Sequence, residues 1–114
     1  SPVWDTGIAL YALTDCGMTM RDEPVHRAAQ WLVQKECRHV GDWADNLTGL
    51  PRRVEQQGCG WYFEYHNAWY PDCDDTAMVA MALKRAGGAA NFAAAQRGIT
   101  WLLAMQNDDG GWGE

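Results

Sequence analysis

The apolar positions of this chain fall in blocks that recur. Ile8, Leu10, Tyr11 and Leu13 fill one stretch with Ala9 and Ala12 between them, and Met78, Val79, Met81 and Leu83 fill another with Ala77, Ala80 and Ala82. Apolar residues over most of the circumference predict helices buried between neighbours, and the alanines let such helices approach closely. The first block predicts a helix from Asp5 to Cys16 that stops at Gly17, a residue suited to a helix C-terminus. A second helix is predicted from about Glu23 to Cys37, with Pro24 in its first turn. Two more are predicted over Asp75 to Ala86, ending at Gly87-Gly88, and over Asn91 to Gln106, ending before Asn107-Asp108-Asp109-Gly110-Gly111.

The second pair of helices is a copy of the first. At an offset of 70, Asp5-Thr6 falls on Asp75-Thr76, Ala12-Leu13 on Ala82-Leu83 and Gly17 on Gly87. Arg27 falls on Arg97, Trp31-Leu32 on Trp101-Leu102 and Gly41 on Gly111, and a one-residue gap brings Trp43 onto Trp112. Tandem helical hairpins bury their faces on one another, so two copies form part of a larger array. The expected organisation is one unit over residues 1–114, with repeats at 4–43 and 74–113 joined by an aromatic-rich loop at 44–73. The fold expected is all-α, an α/α solenoid closed into a barrel of which only a part is present. Ser1 at the start and Glu114 just past a Gly-Gly-Trp-Gly turn agree with an internal fragment.

Composition narrows the function classes. Nine basic residues against fifteen acidic give a formal charge of −6, which excludes the basic face a nucleic-acid binder needs. The longest apolar run, Ala77 to Leu83, is far shorter than the ~20 residues of a membrane span. The cysteines Cys16, Cys37, Cys59 and Cys73 form no C-x-x-C pair, and His26, His39 and His66 show no metal-ligand spacing, so no metal site is read from them. The thiols are expected to be reduced and mostly buried.

The sharpest chemical feature is Pro71-Asp72-Cys73-Asp74-Asp75-Thr76-Ala77, three carboxylates at the start of an apolar helix. One aspartate is explained by capping and the helix dipole, as Asp5 is in the first copy. Three exceed what capping needs. Their mutual repulsion keeps at least one protonated to higher pH, while the dipole stabilises the anion left after proton transfer. Clustered carboxylates also suit Mg²⁺. Ahead of them runs Trp61, Tyr62, Phe63, Tyr65, Trp69 and Tyr70. Most of these residues are expected to pack the loop, but aromatic faces also stabilise cations. Acid plus aromatics suits protonation of a neutral substrate followed by carbocation chemistry. Arg97-Gly98, Trp101, Gln106, Gly110 and Trp112 form a tail read as structural, with Gln106 capping the helix end and Trp112 packed beside it.

Together these residues resemble the squalene–hopene cyclase branch of the class II triterpene cyclases. The resemblance lies in Ser1-Pro2-Val3-Trp4-Asp5-Thr6, in Gly60-Trp61-Tyr62-Phe63-Glu64-Tyr65 followed by Tyr70-Pro71-Asp72-Cys73-Asp74-Asp75-Thr76-Ala77, and in two tails like the family's QW repeats. The first tail departs from the pattern, with Glu36 in place of Gln and Ala28 in place of Gly, which implies a weaker repeat. The resemblance implies that Asp74 is the general acid that protonates a terminal alkene of squalene, and that Asp72 and Asp75 tune and hold it. It implies Phe63 as a cation-stabilising aromatic, Trp4 as a cavity-lining residue, and a histidine partner for the acid that none of the three histidines here matches. No cofactor or metal is implied. The complete protein is expected on one membrane leaflet, at the cytoplasmic face of a bacterium, with homodimerisation open. Oxidosqualene cyclases carry an Asp-Cys-Thr-Ala type motif instead. A class II diterpene cyclase and a non-catalytic α/α repeat module that binds a partner are the alternatives.

Overall fold

The computed structural model describes residues 1–37, 60–61 and 71–113. They contain four helices: α1 (Pro2–Asp15), α2 (Glu23–Gln34), α3 (Cys73–Ala86) and α4 (Ala89–Ala104). Most of the expected loop at 44–73 lies outside the described residues, as do Cys59, Phe63, His39, His66 and Trp43.

Local chemistry sets the helix ends. Ser1 caps α1 by accepting the Trp4 N–H at 3.4 Å, and Pro2 takes a first-turn position where a missing N–H costs nothing. The helix therefore begins three residues before the predicted start, and Asp5 sits exposed in its first turn instead of capping it. α2 ends at Gln34 rather than Cys37, because the chain leaves the helix to pair the Cys37 N–H with the Gly60 carbonyl at 2.7 Å. α3 and α4 are joined by Gly87 and Gly88 alone, both in the left-handed region at φ 84° and 97°. Side chains beyond glycine avoid that region, so the two-residue hairpin depends on them. Asn91 closes it by donating from Nδ2 to the Gly87 carbonyl at 2.7 Å.

The hairpins stack side by side in two layers. α1 packs on α3 in one layer, and α2 touches both α3 and α4 from the other. α1 and α3 run parallel in the register of the repeat. Gly7 faces Met78 and Val79, and Asp15 at the end of α1 is ion-paired with Arg85 at the end of α3. Leu10, Val25, Leu32, Val79, Leu83 and Trp61 form the centre of the core, with Ala29, Ala80, Ala82 and Ala94 between the helices. Burial is less complete than the apolar pattern predicts. Ile8, Met81, Phe92, Ile99 and Leu103 are exposed, which is the pattern of hairpins stacked on one side only.

The repeat tails carry two further differences from expectation. Gln106 does not cap α4; its Nε2 donates to the Gly110 carbonyl at 2.7 Å and closes the following turn. The capping donor is Trp112, whose Nε1 reaches the Leu102 carbonyl at 2.7 Å. In the first copy Glu36 is buried and accepts two hydrogen bonds from Arg97 of α4, at 2.8 and 2.9 Å. The glutamate that departs from the repeat pattern therefore ties the two copies together. The thiols are also less uniformly buried than expected: Cys37 is buried, Cys73 half-buried and Cys16 exposed.

Candidate active site

The three aspartates come together because the chain enters α3 through them. Asp72 is the N-cap residue, with extended backbone at φ −102° and ψ 145°, and its carbonyl accepts the Thr76 N–H at 3.0 Å to open the helix. Its side chain makes no capping hydrogen bond. Asp74 and Asp75 follow in the first turn. Asp74 is exposed, Asp72 half-buried and Asp75 fully buried. The Asp75 N–H donates to Asp74 Oδ1 at 3.1 Å. Each aspartate offers one carboxylate oxygen, and the three oxygens lie within 4.8 Å of one another. By donor type the same three oxygens could hold a hard cation.

The electrostatics differ sharply along the triplet. No N–H or hydroxyl donor reaches either carboxylate oxygen of Asp75, and its protonated form is hydrogen-bonded to the Asp72 side chain. Burial is the largest influence on Asp75, the charges of Asp74 and then Asp72 add to it, and a side-chain hydrogen bond to Asp72 pushes the same way. Its carboxyl is pushed from the ordinary 3.8 up to about 7. The protonated carboxyl expected from the sequence is thus the buried member of the set, while the member open to a substrate is Asp74. Cys73 lies between them. Its thiol is pushed up by burial and then by Asp72 and Asp74, and its Sγ donates to the Gly113 carbonyl at 3.4 Å.

The approach to α3 is fixed by Trp61, which is fully buried. Its Nε1–H donates to the Leu32 carbonyl at 2.6 Å, its backbone N–H to Thr76 Oγ1 at 2.9 Å, and its carbonyl accepts the Asp72 N–H at 2.7 Å. Gly60 and Gly98 give it room: a Cβ on Gly60 would lie 2.6 Å from Thr76 Oγ1, and one on Gly98 3.1 Å from the Trp61 ring. In the sequence Trp61 stands only as one of an aromatic run, and nothing there marks Thr76 for a role. The available signal was a Gly-Trp pair just ahead of the acid motif. Trp4 is half-buried in the first turn of α1, at the same end of the α1–α3 layer as the aspartates.

The model of the squalene–hopene cyclase C-terminal domain family matches residues 1–114. The chain is 41% identical over 115 residues to enfumafungin synthase of Hormonema carpetanum, covering 99% of this chain and 8% of that protein. It is 39% identical over 117 residues to squalene–hopene cyclase of Bradyrhizobium diazoefficiens, covering 98% of this chain and 17% of that one. It is 40% identical over 113 residues to sporulenol synthase of Bacillus subtilis, covering 98% of this chain and 16% of that one. The chain thus spans less than a fifth of each of these relatives. Proteins with three different names resemble it almost equally, so identity over this segment does not separate their products.

Proposed function

The chain belongs to the squalene–hopene cyclase C-terminal domain family, and from that premise we propose that it carries the acid that starts a cationic polycyclisation of squalene. The observation that supports this most is the state of the triplet. A buried Asp75, reached by no N–H or hydroxyl donor and hydrogen-bonded to Asp72, holds a proton to about pH 7 beside an exposed Asp74. Capping by Asp72 does not account for the arrangement, since its side chain makes no capping bond, and Asp74 accepts only the N–H of its neighbour Asp75.

The division of labour follows from exposure. Asp74 is the only exposed carboxyl of the three, so in its protonated form it delivers the proton to the terminal alkene. The new C–H bond forms with the alkene electron pair, and a tertiary carbocation and the Asp74 carboxylate remain. The N-terminal dipole of α3 stabilises that carboxylate. Asp75 cannot touch a substrate from its buried position; it re-protonates the Asp74 carboxylate after delivery and regains its own proton from water, and Asp72 completes the set. Phe63 and Trp4 are the aromatic residues assigned to the cation and to the cavity wall, Phe63 lying outside the described residues. The reading calls for no metal or cofactor. It places the complete protein on a membrane surface, where squalene partitions. Among the described residues no helix is long and apolar enough to cross a membrane.

The test uses the complete enzyme that contains this chain, offered squalene, oxidosqualene and geranylgeranyl diphosphate, with products identified by mass spectrometry. Polycyclic hydrocarbon or alcohol from squalene is the expected result. A bicyclic diphosphate from the third substrate would move the protein to the diterpene branch. No product from any of the three, in a folded protein, would leave a non-catalytic repeat module.

A further inference from the structure

We propose that Trp61 is a positioning residue for the acid triplet, holding the first turn of α3 at a fixed place against the end of α2. The proposal rests on the reading above that the triplet starts the reaction.

The Trp61 peptide makes three hydrogen bonds to the start of α3: its carbonyl accepts the Asp72 N–H and, at 3.4 Å, the Thr76 hydroxyl, and its N–H donates to Thr76 Oγ1. Asp72 and Thr76 are four residues apart, and the Thr76 N–H to Asp72 carbonyl bond joins them. They bracket Asp74 and Asp75, so holding both ends of the turn sets the position of the carboxyls between them. A fourth bond runs the other way, from the Trp61 indole to the Leu32 carbonyl near the end of α2. Leu32 is itself fully buried in the core. A carbonyl in the last turn of a helix has no intrahelical partner four residues on, which makes it a natural anchor for an indole donor.

The clamp has little slack. Trp61 and Thr76 are both fully buried, and a Cβ on Gly98 of α4 would lie 3.1 Å from the Trp61 ring and 3.2 Å from Thr76 Cγ2, closer than ordinary contact. Trp61 has no exposed surface with which to meet a substrate, so its effect on the reaction passes through the carboxyls. Displacing reacting groups by about 1 Å costs on the order of 10²-fold in rate, which is the size of effect a loosened clamp produces.

The experiment compares wild type, Trp61→Phe, Thr76→Val, Thr76→Ser and Asp74→Asn in the complete enzyme. Squalene kinetics are measured, and kcat is normalised to the folded fraction from circular dichroism and thermal melting. Thr76→Val removes the acceptor for the Trp61 N–H at nearly constant shape, and Thr76→Ser restores it. The expected result is a kcat per folded molecule lowered on the order of 10²-fold in Trp61→Phe and Thr76→Val. KM is unchanged, and Thr76→Ser recovers most of the rate. A purely structural role would lower the folded fraction and leave kcat per folded molecule as it was. Wild-type kcat in folded Thr76→Val overturns the proposal, and this variant decides the matter if Trp61→Phe does not fold. Wild type that fails to convert squalene, or Asp74→Asn that converts it normally, overturns the functional reading and the proposal with it. Loss of activity in Asp74→Asn with normal activity in folded Thr76→Val overturns the proposal alone.

Discussion

Glu36 and Arg97, 61 positions apart, meet in a two-bonded ion pair between the end of one repeat and the last helix of the next. The glutamate side chain is fully buried, while the arginine retains 23% exposure. Two parallel N–H···O bonds from a guanidinium fork are stronger and more directional than one neutral bond from a glutamine amide. The pairing also raises the Arg97 pKa, chiefly through its hydrogen bond to Glu36. Replacing the expected Gln by Glu36 exchanges a neutral contact for a charged bracket between copies.

Breaking that bracket from one side is expected to be costly. Arg97→Ala leaves a buried carboxylate without its partner and destabilises by about 3–5 kcal/mol. Glu36→Gln keeps a hydrogen-bonding group and leaves the uncompensated charge on the partly exposed Arg97, so it is expected to cost less. Urea denaturation of both variants checks the order, and an equal or larger loss in Glu36→Gln would contradict it.

The buried carboxyl at the site is expected to make stability depend on pH. Folded Asp75 titrates near 7 against an ordinary 3.8. Between these values the folded state holds a proton that the unfolded state has lost. Its contribution is complete at acid pH and is lost as pH rises towards and through 7. Wild type is therefore less stable at pH 8 than at pH 5 through this group. Asp75→Asn, neutral throughout, flattens that dependence and raises stability at pH 8. Denaturation midpoints at the two pH values measure this, and an unaltered slope in Asp75→Asn would assign the dependence elsewhere.

Gly98 is expected to resist even the smallest side chain. Alanine gains about 1 kcal/mol over glycine in a helix interior. Here its Cβ would lie 3.1 Å from the Trp61 ring and 3.2 Å from Thr76 Cγ2. Overpacking of this kind costs about 1–3 kcal/mol, and Trp61 is bonded at both ends and cannot yield freely. Gly98→Ala is therefore expected to lower stability by about 1 kcal/mol despite the helix preference. A stabilised Gly98→Ala variant would show that the ring can move aside.

The exposed tail is expected to matter locally. Trp112→Phe removes the indole donor that meets the Leu102 carbonyl and is expected to cost about 1 kcal/mol or less. Hydrogen exchange in the last turn of α4 is expected to quicken while exchange in α1 stays unchanged. Equal protection in the variant would reduce Trp112 to a surface residue.

The hairpin repeat was legible in the sequence because its marks are chemical. Gly17 and Gly87-Gly88 end helices, and Trp31 and Trp101 recur at one offset. The carboxylate triplet was legible because three charges exceed a cap. Helix ends were less so. Ser1 competes with Asp5 for the cap, and the pull of Gly60 on Cys37 is a contact between residues far apart in sequence. Which carboxyl is buried was also hidden. Asp74 and Asp75 are neighbours of the same type, and only the packing of α3 turns one outward and the other into the protein. The bond from Trp61 to Leu32 spans 29 positions and leaves no local pattern.

The most direct test of the account is squalene turnover by the complete enzyme carrying Asp74→Asn, with its helical content verified by circular dichroism. The account predicts an intact fold and no cyclised product, because the exposed carboxyl that delivers the proton is gone. Wild-type-like cyclisation by that variant would contradict it and return the aspartates to a structural role at the start of α3.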